Sequence, residues 1–204
     1  MIDVIDYRAG NAPSVLYALM HLGLDARLVS APADVARAER LVLPGVGSAG
    51  ATMASLRDLE LLDALTARVV DDGAPFLGIC IGLQVLFERS EEGDTKTLGW
   101  LPGEVRRFPD TLRVPQIGWN GVTPRRPHPL WAGLPPVAHC YFVNSYHAIP
   151  ADPADVLATT DYGGEFCSVV AHDNVAATQF HAEKSGHLGL TLLANFARWD
   201  GSPC

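Results

Sequence analysis

The stretch PFLGICIG, residues 75–82, predicts both the centre of the fold and its reactive group. An apolar run reaches Gly78, the thiol of Cys80 follows, and Gly82 opens an amphipathic run from Leu83 to Glu88. This is the strand–turn–helix pattern of a nucleophile elbow, with cysteine in place of serine. The two glycines let the chain turn sharply and let strand and helix approach closely. We therefore expect the Cys80 sulfur at the carboxyl end of a strand, beside a helix N-terminus that favours the thiolate.

A second segment, TQFHAEK at residues 178–184, offers the groups that a thiolate nucleophile needs. Such a nucleophile requires a base that takes and returns a proton, and a group that orients the base. If this backbone is extended, His181 and Glu183 project to the same side, because side chains alternate along a strand. A cysteine after an apolar run is ordinarily a core thiol, and a His-x-Glu is ordinarily a surface pair. Their joint presence with the elbow glycines favours a Cys80–His181–Glu183 triad.

Composition bounds the class of protein. The chain has 204 residues, 48% hydrophobic and 19% charged, which predicts one ordered domain over residues 1–204. The net charge of −8 argues against a partner that is a nucleic acid or a membrane surface. No apolar stretch approaches the ~20 residues of a membrane span, and the sequence starts at once with a strand-like segment rather than a leader. The expected location is cytoplasmic.

The four cysteines, Cys80, Cys140, Cys167 and Cys204, include no C-x-x-C pair. A zinc site is therefore not expected, nor are disulfides in a reducing compartment. Cys140 and Cys167 lie in apolar, strand-like stretches and are predicted to be core residues, while Cys204 is predicted to be a loose thiol. We expect no metal and no cofactor.

Strands and helices alternate in the first half of the chain. Strands are predicted at 1–6, 25–29, 41–43 and up to Cys80, and helices at 14–22 and 52–70, the latter with leucines at 56, 59, 62 and 65. This alternation indicates an α/β fold, with a largely parallel sheet and helices on both faces. Further β-type runs follow at 103–108, 116–122, 139–146, 156–160, 166–171 and 175–180, with a closing helix at 187–198. They are predicted to be mixed or antiparallel strands.

Residues 45–50, GVGSAG, match the dinucleotide-binding pattern G-x-G-x-x-G. That function is disfavoured because the motif follows the third strand and the next strand ends in Cys80 rather than in an acidic residue. A backbone loop beside the thiol is the better interpretation, with N–H groups that face the oxyanion formed when Cys80 attacks a carbonyl. The N–H of Ile81 would be one donor, and the loop at 44–47 would supply the other; a plain strand-to-helix turn is the alternative.

At this point the chain resembles the class I, triad-type glutamine amidotransferases, and within them the glutaminase subunits of imidazole glycerol phosphate synthase in histidine biosynthesis. The resemblance covers essentially the whole chain. It rests on DYRAGN at 6–11 with Ser14-Val15, PGVG at 44–47, GICIGLQ at 78–84 continuing to FERSEEG at 87–93, QIGWN at 116–120, YFVNSY at 141–146 and QFHAEKS at 179–185. It implies a flavodoxin-like open twisted sheet, largely parallel and flanked by helices, with additional antiparallel strands.

The resemblance also implies a role for individual residues. Cys80 would be the nucleophile, His181 the base and acid, and Glu183 the group that orients it. The remaining roles it implies are an oxyanion hole at Val46, Gly47 and Ile81; L-glutamine binding by Gly45, Gln84, Glu92, Ser145 and Tyr146; and a partner interface at Asn11 and Lys184. The partner would be a cyclase subunit with a (β/α)8 barrel, which forms a heterodimer with this chain and receives ammonia.

Three positions depart from the family pattern. Ala182 stands where proline is usual, which predicts a looser His181–Glu183 geometry. Arg8 takes a position usually held by glycine, which puts a local turn with positive φ in doubt. Asn144 replaces a frequent histidine and keeps a hydrogen-bonding side chain that does not titrate near neutral pH.

Two other functions stay open on the sequence. The same chemistry could serve another acceptor, in anthranilate, GMP or pyridoxal phosphate synthesis, although the segments at 118–120 and 141–143 count against it. A catalytically silent binding protein on the same fold is the second alternative, which the complete set of Cys80, His181 and Glu183 disfavours.

Overall fold

A single mixed sheet forms the framework of the molecule. The computed structural model describes residues 1–8 and 11–202, and thirteen strands within them join this sheet. The strands are β1 (Ile2–Ile5), β2 (Ala26–Val29), β3 (Leu41–Leu43), β4 (Phe76–Ile79), β5 (Arg89–Ser90), β6 (Thr95–Lys96), β7 (Gly103–Arg107), β8 (Gln116–Pro124), β9 (Ala138–Asn144), β10 (Tyr146–Pro150), β11 (Val156–Asp161), β12 (Glu165–His172) and β13 (Val175–Thr178). The helices are α1 (Ala12–His21), α2 (Pro32–Val35), α3 (Ala49–Asp58), α4 (Leu61–Thr66), α5 (Ile81–Gln84) and α6 (Gly186–Arg198).

One half of the sheet is parallel. Its order is β2-β1-β3-β4-β13, and each neighbouring pair runs in the same direction. This is the 2-1-3-4-5 order of the flavodoxin-like doubly wound fold, so the predicted fold class is confirmed. The other half continues from β13 through antiparallel β12, to which β10, β7, β5 and β6 add on one path and β11, β8 and β9 on another. The predicted additional antiparallel strands are confirmed.

Two hydrophobic cores lie on opposite faces of the parallel half. Side chains alternate along each strand, so Val42 joins one core and its neighbours Leu41 and Leu43 join the other. On β4, Leu77 and Phe76 divide in the same way. Helices α1 and α6 cover the first core and α3 and α4 the second, which places helices on both faces as predicted.

The prediction of one uninterrupted helix over 52–70 is wrong. This segment forms two helices, α3 and α4, followed by one π-helical turn at Ala67–Asp71, and the break falls at Glu60, whose φ is +57°. The spacing of its leucines explains the break. Leu56 and Leu65 are nine residues apart and would lie about 180° apart on one straight helix, whereas the break lets both be fully buried.

The amphipathic helix predicted over 83–88 is also wrong, since α5 ends at Gln84 after four residues. The side chains of Leu83, Val85, Leu86 and Phe87 are all fully buried. A segment that is buried on all sides has no polar face to present to solvent, so it does not form an amphipathic surface helix. A helix this short contributes little dipole to the thiol in front of it.

Two further boundaries differ from the predicted strands. The run 139–146 is divided at Ser145 into β9 and β10, and the run 175–180 leaves the sheet after Thr178. Arg8, in contrast, keeps the turn that a glycine was expected to need, since its φ is +62° and its N–H donates to the Asp6 carboxylate at 3.1 Å. Residues 9 and 10 of the segment DYRAGN lie outside the described residues, as does Cys204.

The site is positioned by three neighbouring parallel strands. Their carboxyl ends meet at one edge of the sheet, where ligands bind in this class of fold. The loop at 44–47 follows β3, Cys80 follows β4, and His181 comes shortly after β13, with β4 between the other two strands. No helix in the described part of the chain is both long and apolar enough to cross a membrane.

Candidate active site

Cys80 occupies a sharp turn between β4 and α5. Its φ is +57° and its ψ is −105°, a combination that an L-residue adopts only when its surroundings force it. A Cβ at Gly78 would strike the carbonyl of Gly82, and a Cβ at Gly82 would strike the carbonyl of Leu43. The glycines therefore permit the close approach of strand and helix that the elbow requires, and the strain falls on the residue that carries the thiol.

His181 and Glu183 meet, although the backbone that joins them is a turn and not the extended segment considered from the sequence. The chain turns after Thr178, the His181 N–H donates to the Tyr141 carbonyl at 3.0 Å, and a 3-10 turn follows at Ala182–Lys184. This turn folds the carboxylate back onto the ring, and Nδ1 of His181 lies 2.8 Å from Oε1 of Glu183. The contact fixes the ring orientation and leaves Nε2 as the nitrogen available to Cys80.

The protonation of His181 follows from its surroundings. Burial disfavours the charged ring, but hydrogen bonding and charge attraction from Cys80 and Glu183 outweigh it and raise the pKa of His181 from 6.5 to about 9. The imidazolium form is therefore favoured at neutral pH. A positive ring beside a cysteine favours the thiolate.

Asn11 binds the third member of this group. Its Nδ2 donates to Oε1 of Glu183, and Oε2 of Glu183 is buried without a hydrogen-bond partner in the described residues. Asn11 stands at the N-cap of α1, where asparagine ordinarily accepts from a helix N–H, yet its side chain makes no such bond. Sequence reasoning placed Asn11 at the partner interface and missed this contact, because an N-cap asparagine gives no signal for it.

A cavity of about 290 Å³ opens in front of Cys80. Its lining includes ten of the predicted site residues: Val46, Gly47, Cys80, Ile81, Gln84, Glu92, Ser145, Tyr146, His181 and Lys184. Pro115, Val143 and Asn144 complete it. Gly45 does not line the cavity and packs against Tyr7 and Ile81 so closely that a Cβ would strike both side chains. Glu183, which contacts His181, and Asn11, which contacts Glu183, do not line the cavity.

The predicted oxyanion groups line the same cavity as the thiol. Ile81 is the first residue of α5, so its N–H has no partner within the helix. Gly47 has a φ of +103°, and a Cβ there would contact no other atom within 4 Å. The requirement for glycine at position 47 is thus set by backbone conformation rather than by space.

Two predicted substrate-binding residues have contacts of their own within the protein. Oε2 of Glu92 accepts from the Ala49 N–H at 2.8 Å, at the start of α3, where a carboxylate is favoured. This bond holds Glu92 at the cavity, and the other carboxylate oxygen, Oε1, takes no part in it. Gln84 is buried, and its Nε2 donates to the Tyr146 carbonyl at 3.1 Å.

Gln179 is a residue of this site that sequence reasoning missed. Its side chain is fully buried and its Nε2 lies 3.8 Å from the Cys80 sulfur. The only signal in the sequence was its place in the segment QFHAEKS. The Val143 carbonyl lies 4.0 Å from the same sulfur. In the described part of the chain, no group of three or more His, Cys, Asp or Glu side chains could hold a metal ion.

The other two described cysteines differ from Cys80. Burial raises the pKa of Cys140 to about 12 and that of Cys167 to about 12, so both thiols stay protonated. Their predicted place in the core is confirmed.

Comparison with known proteins identifies the class. The model of the family described as glutamine amidotransferase class-I matches residues 3–198. This chain belongs to the class-I glutamine amidotransferase family, which confirms the resemblance stated from the sequence. Within that family it is 49% identical over 197 residues to imidazole glycerol phosphate synthase subunit HisH of Dehalococcoides mccartyi, with 96% of each chain covered. It is 50% identical over 204 residues to the subunit of the same name in Chloroflexus aurantiacus, with 98% of this chain and 96% of the relative covered.

A solved structure supports the fold independently. The structure of PurLQS from Thermotoga maritima superimposes with a TM-score of 0.77 over 97% of each chain at 17% sequence identity. At that identity the likeness concerns the fold alone.

Proposed function

We propose that this protein is the glutaminase subunit of an imidazole glycerol phosphate synthase. It hydrolyses L-glutamine to glutamate and ammonia and delivers the ammonia to a cyclase subunit in histidine biosynthesis. The near full-length similarity to HisH subunits supports the pathway. One observation carries the chemistry: Cys80 stands on a strained elbow beside His181, whose ring is held by Glu183, at the wall of one cavity.

The first half of the reaction forms a thioester. The Cys80 sulfur attacks the side-chain amide carbon of glutamine, and the carbonyl oxygen becomes an oxyanion. The carbon–nitrogen bond then breaks, and protonated His181 gives its proton to the departing nitrogen, which leaves as ammonia. The raised pKa of His181 suits this role because the ring is charged when the leaving group needs the proton.

The second half releases glutamate. His181, now neutral, takes a proton from water, and the hydroxide attacks the thioester carbon. The carbon–sulfur bond breaks and the sulfur leaves as thiolate. Glu183 holds Nδ1 throughout and stabilises the imidazolium each time it forms.

The oxyanion would be bound by backbone groups. The N–H of Ile81 is one donor and the peptide of Val46 and Gly47 is the other. Donors placed at such a position are worth about 3–4 kcal/mol of transition-state stabilisation. The glycine at 47 gives this peptide freedom to turn toward or away from the cavity.

The rest of the cavity would hold the substrate. The free oxygen of Glu92 pairs with the α-ammonium group of glutamine. Ser145, Tyr146 and Gln84, which also line the cavity, bind its other polar groups, and Gly45 shapes the 44–47 loop.

The partner would dock at the mouth of the cavity. Ile117 and Val143 lie opposite each other on β8 and β9, and Trp119, 58% exposed, lies two residues further along. An exposed apolar surface of this kind is typical of a protein interface, and Val143 also lines the cavity. We propose that a (β/α)8 cyclase covers this patch, with Lys184 and Asn11 at the contact, in a cytoplasmic heterodimer.

The test is product formation by the reconstituted complex. With a cognate cyclase, wild-type protein should support turnover driven by glutamine, and Cys80→Ala should abolish it while turnover driven by free ammonia survives. Cys167→Ala, which removes a protonated thiol away from the cavity, is the matched control and should keep glutamine-driven turnover. If wild-type protein gives no glutamine-driven product with that cyclase, the pathway assignment fails and a glutaminase with another acceptor takes its place.

A further inference from the structure

Two buried amides lie behind the nucleophile. Gln179 follows β13 and is fully buried; Gln84 ends α5 and is 4% exposed. Nε2 of Gln84 lies 3.0 Å from Oε1 of Gln179, and Nε2 of Gln179 lies 3.8 Å from the Cys80 sulfur. The resemblance to the family gave Gln84 a role toward substrate and gave Gln179 none.

The direction of the donors in this chain is fixed by a backbone carbonyl. The Tyr146 carbonyl can only accept, and the Gln84 amide atom 3.1 Å from it must therefore be the nitrogen. That nitrogen also contacts Gln179, so the Gln179 atom that faces it must be the oxygen. The nitrogen of Gln179 is left pointing at sulfur. The opposite orientation would set nitrogen against nitrogen and leave buried donors unpaired.

We infer that Gln179 is a further catalytic residue, which donates a hydrogen bond to the Cys80 sulfur and stabilises its thiolate form, and that Gln84 is the positioning residue that keeps the Gln179 amide in this orientation. The inference rests on the proposed function, in which that sulfur is the nucleophile.

The surroundings of Cys80 show why such a donor is needed. The thiol is only 7% exposed, so water supplies little solvation to a negative sulfur. The helix that follows has four residues and offers little dipole. His181 supplies positive charge, and the Gln179 amide supplies a neutral donor that remains when His181 has given its proton away.

The experiment measures thiolate formation directly. The rate of Cys80 alkylation by iodoacetamide would be followed from about pH 5 to about pH 10 by mass spectrometry of the Cys80 peptide, since the thiolate is the reactive form. In Gln179→Leu, the pH of half-maximal rate should rise by about one unit, which is a tenfold slower reaction on the acid side of the profile. Cys80 and His181 titrate together, so the midpoint of the profile reflects both groups, and only the difference in midpoint between variants is interpreted.

Three further variants sharpen the result. Gln179→Glu keeps the shape and replaces the donor with a carboxylate, so the midpoint should rise by at least as much as in Gln179→Leu; it also serves if the leucine variant does not fold. Gln84→Leu should shift the midpoint in the same direction by less. Asn195→Leu is the matched control, because Asn195 is a buried amide that donates to the carbonyls of Leu130 and Ala132; its midpoint should stay at the wild-type value.

The inference would be overturned if a folded Gln179 variant kept the wild-type pH of half-maximal alkylation rate. It would also be overturned if Asn195→Leu shifted this pH as much as the Gln179 variants do. In the glutaminase assay, Gln179→Leu should lower kcat about tenfold with KM within threefold, because the lost donor faces sulfur rather than substrate. Alkylation requires no glutamine turnover. If the wild-type protein shows no glutaminase activity while Gln179→Leu still shows the shifted alkylation profile, the proposed function is refuted and the contact between Gln179 and the sulfur is supported.

Discussion

Two histidine–carboxylate pairs in this molecule share their local geometry and differ in nearly everything around it. Nδ1 of His181 lies 2.8 Å from Glu183, and Nδ1 of His172 lies 2.8 Å from Asp155. Both carboxylates stand in 3-10 turns, Ala182–Lys184 and Pro153–Asp155. The side chain of His181 is 2% exposed, whereas that of His172 is 51% exposed.

The second ring nitrogen separates the two pairs. Nε2 of His172 lies 3.5 Å from a further carboxylate, Asp173, whereas His181 interacts with the thiol of Cys80. On the proposed mechanism, a carboxylate that orients a ring is therefore insufficient for catalysis. The other nitrogen must face a group that gains or loses a proton in the reaction, in a place from which water is largely excluded.

The largest expected difference between the pairs lies in turnover. Glu183→Gln keeps the shape of the side chain but removes its charge and its control over the ring, so glutamine-driven turnover should fall about a thousandfold. Asp155→Asn makes the matched change in the other pair and should leave turnover within about twofold of wild type. Steady-state assays of both variants with the cyclase present would decide, and an equal loss in the two would show that the comparison is mistaken.

The next effect is on stability. The pKa of His181 is raised from 6.5 to about 9 in the folded protein, so folding binds a proton. The stabilisation is fully present below pH 6.5 and is lost as pH rises through about 9. We expect the free energy of unfolding to fall by about 3 kcal/mol over this window because of His181.

Urea titrations at about pH 6 and about pH 9.5 would measure this fall. His181→Gln removes the titrating ring, and its free energy of unfolding should change less over the same window. A fall of the same size in wild type and variant would contradict the assignment to His181.

A smaller effect concerns one polar neighbour of each pair. Asn11 donates to Glu183, so Asn11→Ala should loosen the Glu183 rotamer and lower kcat about tenfold, with KM nearly unchanged. Asp173→Asn changes the neighbour of His172 in the other pair and should alter neither kcat nor KM. If Asn11→Ala acts only on affinity for the cyclase, measured by titration of one subunit with the other, Asn11 belongs to the interface alone.

The sequence predicted the parallel half of the sheet and the elbow well because both rest on local signals. Short apolar runs mark buried strands, and the glycines around Cys80 mark a turn that few other residues permit. Alternating strands and helices then limit the topology to a few arrangements. Family resemblance added Gln84, Glu92, Ser145, Tyr146 and Lys184, and the structure brings all five to the cavity in front of Cys80.

The failures share a cause, which is that tertiary burial overrides local periodicity. The segment 83–87 looked amphipathic but is buried all round, and Leu56 and Leu65 are both fully buried only because the helix breaks between them. The same holds for the contacts of Gln179 and Asn11. Each reaches a residue about a hundred or more positions away in the chain, and no pattern in neighbouring residues encodes such a contact.

The smallest effect tests the first residue of each of the two turns. The turn at Asp155 begins with Pro153, whereas the turn at Glu183 begins with Ala182, where the family usually has proline. Proline suits the first position of such a turn, and His181, with φ −82° and ψ 99°, already has the extended backbone required before proline. Ala182→Pro should therefore raise the free energy of unfolding by about 0.5 kcal/mol, because proline reduces the conformational entropy of the unfolded chain. Turnover should change less than twofold.

Pro153→Ala is the reverse change and should cost a similar amount of stability with no effect on turnover. Thermal unfolding and glutaminase assays of the two variants would measure both quantities. A tenfold gain of turnover in Ala182→Pro would show that alanine leaves His181 and Glu183 loosely held in this chain, as the departure from the family pattern predicts. Wild-type turnover in that variant would show instead that the bonds from Asn11 and His181 fix Glu183 without help from the turn, because the carboxylate is then held by its partners rather than by its backbone.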